Sequence, residues 1–484
     1  MSTALSLGAP AIIRLWSLRD EVTVEGDPAT GNLNVITRWG EIAIADATAA
    51  ERTLLDRLSL GPTAIANLPD LDLAGVAGLL DRLRACLVYS LGTDDLVGVL
   101  LSAVPVAAQA RFTLPDVGPT DLVRLSRFAA MRSHGDALVL ESPLACYRVV
   151  LHRPIAAWVV GALGAPITVA DLAASLGADL ALIAGVVSHL IAASMVVTGT
   201  RDGRADPFFA EDRDPGLAQW SHHDLLFHSH SRMGRQDGPI GAVYRYVGTF
   251  PPPPAVKPVP GGRRFALPAP GSDAAAEVSL TEAIERRESV REFAEQPLSA
   301  EQVSALLYRT ARIRSLRRMP APGGVPYTVS DRPYPSSGSL YELELYLAMD
   351  RCTGLPRGIY HYDPLDHALT LTSTDESDLA KLLDDAAVLI GTLRRPAMLI
   401  TMTARIARLS WVYDGIAYST ALKHVGVLQQ SLYLVATALD LAPCALAIGD
   451  SDIATQALHL DWPAEISLGE FAIGLRSNPA AGHA

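Results

Sequence analysis

Cysteine is scarce in this chain: Cys86, Cys146, Cys352 and Cys444 are the only four in 484 residues, and they lie far apart. No two have metal-ligand spacing, and four cysteines cannot staple a chain of this size, so a disulfide scaffold and a thiolate metal site are both excluded. Free thiols in a reducing cytosol are expected instead. Long apolar runs are also missing. The most apolar stretch, Pro154 to Thr200, is interrupted by Asp171, Asp179 and His189 and by glycine and proline. It never reaches the ~18 uninterrupted apolar residues of a membrane span, which leaves a buried helical segment. The N-terminus has no charged n-region followed by an apolar h-region, so a soluble, cytoplasmic protein without a membrane partner is expected. Positive charge is short as well. The net charge is −12 with a pI near 5.5, which argues against electrostatic attraction to nucleic acid or anionic lipid.

What remains is a globular balance, 49% hydrophobic and 19% charged, in a chain long enough for two to four domains at roughly 100–200 residues each. The first part reads as one unit occurring twice, in residues 1–100 and 101–205. In the first copy the strand-like run Asn34–Thr37 precedes Thr48, a helix cap with Glu51 in the capping-box position. Leu54, Leu55 and Leu58 then form a helical stripe. A second helix carries Leu73, Val76, Leu79, Leu80 and Leu83, before the strand Leu87-Val88-Tyr89. The second copy repeats the plan: a helix over 155–163, one capped by Thr168, one started by Asp179, then the strand Met195-Val196-Val197. Helix-turn-helix followed by a strand is the pattern of a small winged-helix module. DNA binding does not suit it, because no Lys or Arg occurs from Pro154 through Thr200. Two readings stay open: the modules pack and dimerise, or a strand edge accepts an extended peptide.

Residues 206–275 read as a connector, stiffened by Pro251–Pro254, Pro258 and Pro260. Ahead of the proline run, His222, His223, His228 and His230 fall within nine residues. With no cysteine nearby and no second cluster, packing and polar roles are expected of them rather than a metal site.

From about Ala276 to 478 helices alternate with a mainly antiparallel set of strands, so the class is α+β. Strands are expected over 342–350, 359–362, 369–372, 397–405 and 466–473, with a long helix from about Tyr413 to Leu439. Three islands carry chemistry. In Arg287-Glu288-Ser289-Val290-Arg291, two guanidinium forks and a hydroxyl at alternate positions can converge on one phosphate. In Pro335-Ser336-Ser337-Gly338, small residues let backbone approach a flat ring. The third combines the long helix, the stretch Leu446-Ala447-Ile448-Gly449 and the closing run from Glu470 to Leu475.

In this order the islands resemble the FMN-dependent nitroreductase-like superfamily. Within it the chain is most similar to the dehydrogenases that oxidise azolines in ribosomal peptides, of the microcin B, streptolysin S and cyanobactin oxidase type. The likeness covers about 218–475, and the N-terminal half by architecture, since the larger members carry two peptide-recognition-like modules. The resemblance implies an FMN enzyme in which Arg287, Ser289 and Arg291 grip the phosphate. Pro335, Ser336, Ser337 and Gly338 would line the isoalloxazine ring, Gln430 would match a family glutamine, and Ala447 and Gly449 would lie in a loop beside the flavin. It implies a homodimer with FMN between subunits, and a precursor peptide, leader plus modified core, as substrate. Cyclodehydratase subunits are the further partners it suggests. In the implied reaction a thiazoline or oxazoline becomes an azole: a base removes the Cα proton, hydride passes to the flavin, and oxygen reoxidises it.

The chain departs from the family where catalysis is expected. A Lys-Tyr pair usually opens the long helix, and here Val412-Tyr413 stands in its place. His424 replaces a usual acidic residue and Val427 a usual histidine. Three explanations stay open: Tyr413 works with a replacement base such as His424 or Asp414, the oxidation is a different one, or the domain is a reduced scaffold. On one unbroken helix Tyr413 and His424 would stand ~16 Å apart. His424 is therefore expected to be structural, and Asp414 and Lys423 to be solvated. The run Arg309, Arg312, Arg314, Arg317, Arg318 is expected as a solvated helix end and loop, with attraction of an acidic leader the alternative.

Overall fold

The computed structural model describes residues 11–27, 31–64, 73–94, 98–201, 206–270 and 278–477. The chain divides into two compact units, Met1–Gly238 and Pro239–Ala484. The division falls inside the expected connector.

In the first unit the capping box at Thr48 forms as read, with Thr48 Oγ1 accepting from the Glu51 N–H and Glu51 reaching back to the Thr48 N–H. It opens helix Ala49–Leu60, whose Leu54, Leu55 and Leu58 bury against Val35, Ile44 and helix Leu73–Leu83. A three-stranded sheet, Thr23–Gly26, Leu33–Thr37 and Gly40–Ile44, lies in the same cluster. The apolar stretch supplies helices Pro154–Ala162, Val169–Leu176 and Leu180–Ala192, the last two capped by Thr168 and Asp179. Strand Val196–Thr200 follows and pairs with Leu122–Leu125 and Phe208–Phe209. A six-stranded antiparallel sheet runs through the unit in the order Ile12–Leu18, Leu87–Thr93, Val99–Pro105, Tyr147–Leu151, Ala137–Glu141, Ala130–His134. Residue 100 falls within it, so strands on both sides of that position hydrogen-bond to one another. Among the described residues no helix is long and apolar enough to cross a membrane.

The second unit is built on a seven-stranded antiparallel sheet. Its order is Arg263–Ala266, Ala368–Ser373, Gly358–Asp363, Leu343–Met349, Met398–Arg405, Glu465–Leu475, Leu441–Leu446. The central strands are buried on both faces, which is why they read as continuous apolar runs rather than alternating ones. Leu345, Leu347, Ile400, Met402, Phe471 and Ile473 pack with helices Ala300–Ala311 and Ala417–Ala438. Tyr346, Ala348, Leu399 and Ala472, on the alternate face, pack with Glu376–Ile390 and Ser451–Ala457.

Two expectations are corrected here. The long helix does not start at Tyr413 but at Ala417, and Tyr413–Asp414 form a short strand antiparallel to Gly241–Ala242. Gly415, with φ +71°, supplies the bend that separates strand from helix. The arginine run begins as expected, with Arg309 in the last turn of helix Ala300–Ala311 and Arg312 and Arg314 in the loop after it, but Arg317 and Arg318 lie on a strand. Ser315–Pro320 is the outer strand of a hairpin with Pro326–Asp331; all six of its residues are exposed, and Arg314 forks onto Asp331 at 2.8–2.9 Å.

The segment after Gly238 is tied down by polar contacts. Lys257 reaches the Tyr346 hydroxyl at 2.6 Å and pairs with Glu465. The Trp411 indole N–H donates to the Phe250 carbonyl at 3.0 Å. Arg408, 2% exposed, donates to the carbonyls of Leu340 (2.6 Å), Pro253 (2.8 Å) and Thr328 (3.1 Å). Burial lowers its pKa to about 10, so it remains charged at neutral pH. Replacing Arg408 by Met should cost about 3–5 kcal/mol, because three buried carbonyls lose their donor. Arg408→Lys should not restore it, since one ammonium cannot span three segments. Urea unfolding of the second unit measures both; a loss under ~1 kcal/mol would show that water replaces the guanidinium.

Candidate active site

The Arg-Glu-Ser-Val-Arg island is extended chain directly after a capped helix. Ser279 caps Leu280–Arg286, and Arg287 ends it. The chain then lies along the sheet edge: the Val290 N–H donates to the Pro443 carbonyl at 2.8 Å and the Ala294 N–H to Leu475 at 2.9 Å. Phe293, 1% exposed, locks this register by lying on Gly474, where a Cβ would come within 2.7 Å of the ring. The Arg287 guanidinium stands over the Tyr433 ring, 5.4 Å from its centroid. Ser289 Oγ is 2.7 Å from the Tyr433 hydroxyl, which also accepts the Ala445 N–H at 2.8 Å. Glu288 turns away to Arg476 at 2.5 Å. Among the described residues neither Arg287 nor exposed Arg291 has a carboxylate partner, so both guanidinium groups are available to an external anion. Tyr433 went unnoticed in the sequence; the signal was an aromatic on the buried stripe of the long helix.

The Pro-Ser-Ser-Gly island is a tight turn with Gly338 at φ +61°. A Cβ on Gly338 would stand 2.9 Å from the Tyr413 hydroxyl, so glycine is required twice over, by backbone and by space. The Ser337 N–H donates to His424 Nε2 at 2.9 Å, and Ser337 Oγ lies 3.3 Å from the same atom. His424 Nδ1 is 2.8 Å from Glu342 Oε1. Tyr413 and His424 therefore meet neighbouring residues of one turn, which an unbroken helix would have prevented. Burial, then the Tyr244 hydroxyl, holds the Tyr413 phenol above its usual range. Tyr327, 3.3 Å from the Tyr244 hydroxyl, is pushed up to about 12 by burial and by that contact. Asp414 is not free in solvent as expected: it is half-buried, paired with Arg245 at 3.1 Å, and accepts the Gly415 N–H. The buried Val412 packs in the core, and its carbonyl accepts the Tyr244 N–H at 3.0 Å.

The long helix links the two islands. It carries His424 at the turn and Tyr433 at the arginines, about 14 Å apart along its axis. The remaining candidates are less gathered. Gln430 is exposed on the outer side of this helix, while its neighbour Gln429 reaches the Glu470 carbonyl at 3.5 Å. Ala447 is exposed, and a Cβ on Gly449 would fall on the Glu470 carboxyl. Glu470, which the sequence reading named only as the start of the closing run, lies in the middle of strand Glu465–Leu475, is 8% exposed and is pushed up to about 7 by burial and by Asp385. Of the four clustered histidines, His230 lies 3.6 Å from Glu141; among the described residues no group of three His, Cys, Asp or Glu is placed to hold a metal ion.

Gly338→Ala should displace Tyr413 and add about 1–2 kcal/mol of left-handed backbone strain. A lowered melting temperature with changed tyrosine near-UV dichroism is the expected result. The Glu470 pKa lies above the ordinary 4.5, so the folded chain binds this proton more tightly than the unfolded one. The associated stability is full below pH 4.5 and is lost as pH rises to about 7, by up to about 3 kcal/mol. Glu470→Gln should flatten the pH dependence of unfolding across that window, which a melting series checks.

Comparison with known proteins gives two family matches. Residues 284–475 match the Nitroreductase family, and residues 123–237 match the cyanobactin oxidase ThcOx family. A nitroreductase of Methanocaldococcus jannaschii is 26% identical over 178 residues, 37% of this chain and 83% of that protein. Among solved structures, a nitroreductase from Ralstonia eutropha aligns at 21% identity and a TM-score of 0.36, covering 46% of this chain and 94% of that one. A chain of the E. coli microcin synthetase McbBCD complex aligns at 24% identity and a TM-score of 0.34, covering 43% and 77%.

Proposed function

We infer the function from the premise that the chain is an oxidoreductase carrying a nitroreductase-family domain behind a cyanobactin oxidase ThcOx domain. The two domains support an azoline-oxidising peptide dehydrogenase. In our reading the cofactor is FMN, the substrate is an azoline-bearing precursor peptide, and the product ring is a thiazole or oxazole. The observation that carries this reading is that Arg287 and Arg291, flanking Ser289 in the chain, have no carboxylate partner among the described residues, while Arg287 and Ser289 meet on Tyr433. Such a cluster fits a phosphate.

Arg287, Ser289 and Arg291 would hold the FMN phosphate, and Pro335, Ser336, Ser337 and Gly338 would lie against the ring. Bound there, the flavin supplies hydride acceptance. Tyr413 stands over Gly338, and a phenol held above its usual range stays protonated at neutral pH. It would therefore meet the azoline as a hydrogen-bond donor and orient the ring for loss of its Cα proton. The exposed positions of Ala447 and Gln430 suit a flavin shared between two copies, as in a homodimer. In this reading the first unit, which carries the cyanobactin oxidase ThcOx match over 123–237, would receive the leader, and cyclodehydratase subunits are the further partners.

Purified protein should be yellow and release FMN, identified by mass, and an azoline peptide should bleach it anaerobically. Tyr413→Phe should keep FMN and lose turnover by about 10²-fold or more. Full turnover in that variant would remove Tyr413 from the chemistry, and absence of flavin after incubation with excess FMN would overturn the reading.

A further inference from the structure

The geometry points to His424 as a positioning residue, held by Glu342, that fixes the Pro-Ser-Ser-Gly turn rather than replacing the missing lysine as base. The inference rests on the reading that this turn lines the flavin. A neutral imidazole has one donor nitrogen and one acceptor. Nε2 receives the Ser337 backbone N–H at 2.9 Å, and a backbone N–H can only donate, so Nε2 is the acceptor. Nδ1 then carries the proton and donates to Glu342 Oε1 at 2.8 Å. His424 is 5% exposed and Glu342 not at all, so the bond between them is buried, while the Ser337 bond, from an exposed residue, is partly so. Both ring nitrogens are thereby committed, and the only in-plane lone pair points at a peptide N–H. A base needs that lone pair free for the substrate proton.

The committed imidazole has a structural consequence. It sets the direction of the Ser337 amide, and Gly338 follows at φ +61° beneath the Tyr413 hydroxyl. The far side of the turn closes on itself: the Ser339 N–H donates to the Ser336 carbonyl at 3.1 Å and the Tyr341 N–H to Ser336 Oγ at 3.1 Å. Glu342 Oε2 has no hydrogen-bond partner among the described residues, so Nδ1–H is the principal hydrogen bond on that carboxylate. Removing the imidazole leaves the buried Glu342 carboxylate and the part-buried Ser337 N–H without this partner at the same time.

The experiment follows hydrogen exchange by mass spectrometry over residues 333–341, together with FMN affinity and turnover, in the full chain. His424→Ala should speed exchange at this turn and weaken FMN binding by about tenfold or more. His424→Gln, whose amide oxygen can accept the Ser337 N–H, should return exchange and FMN affinity to within about threefold and keep most of the turnover. Unchanged exchange in His424→Ala would overturn the proposal. So would a His424→Gln enzyme that binds FMN, keeps a protected turn, yet loses turnover about 10²-fold with the acid limb of its pH profile, because that is the signature of a base. Should the wild-type chain bind no FMN, the functional reading fails while the exchange data still decide the role of His424.

Discussion

A guanidinium buried among carbonyls is the constraint on which the second unit depends. Arg408 touches the proline-rich segment at Pro253, the hairpin at Thr328 and the end of the turn at Leu340, three pieces of chain that share no sheet. Loops can sit inside a protein only if their backbone polar groups find partners. Here one side chain with five donors serves all three pieces at once. The turn beneath Tyr413 is therefore placed by Arg408 at one end and by His424 at the other, and Tyr413 itself is placed by the short strand it forms with Gly241–Ala242.

The site sorts its arginines by partner. Arg408 is spent on carbonyls, Arg405 on Glu344 at 2.8 Å, and Arg476 on Glu288. Among the described residues Arg287 and Arg291, at the sheet edge, have no carboxylate partner. Glu344 illustrates the cost of the arrangement: burial alone would raise its pKa, but the His361 hydrogen bond and the Arg405 charge overcome that and lower it to about 2. Charge at Glu344, Arg405 and Arg408 is met by partners of the chain itself.

Much of this was legible in the sequence where local rules decide the structure. The Thr48–Glu51 capping box, the caps at Thr168 and Asp179, and the strand over 397–405 depend on neighbours a few residues away, and they stand where periodicity and capping put them. What was not legible depends on partners far along the chain. Tyr413 leaves the helix because Gly241–Ala242, some 170 residues earlier, pairs with it. Arg317 and Arg318, at the end of the arginine run, lie on a strand because Pro326–Asp331 returns beside it. Gln429 rather than Gln430 faces the sheet because helix phase is set by packing, and a one-residue step turns a side chain by about 100°. The setting of Glu470 and Tyr433 depends on partners far along the chain, Gly449 and Asp385 for the first and Arg287, Ser289 and Ala445 for the second.

The hairpin strand Ser315–Pro320 has a bearing on solubility that its place near the site conceals. An exposed edge strand offers its free N–H and C=O groups to any other extended chain, including the same strand of another molecule. Here Arg317 and Arg318 occupy the middle of that strand. Two copies aligning edge to edge at this point would oppose two guanidinium groups on each face, since neighbouring strand residues point to opposite faces, and like charges opposed across a ladder repel. The strand thus resists stacking upon itself while leaving its backbone open to a chain of opposite charge.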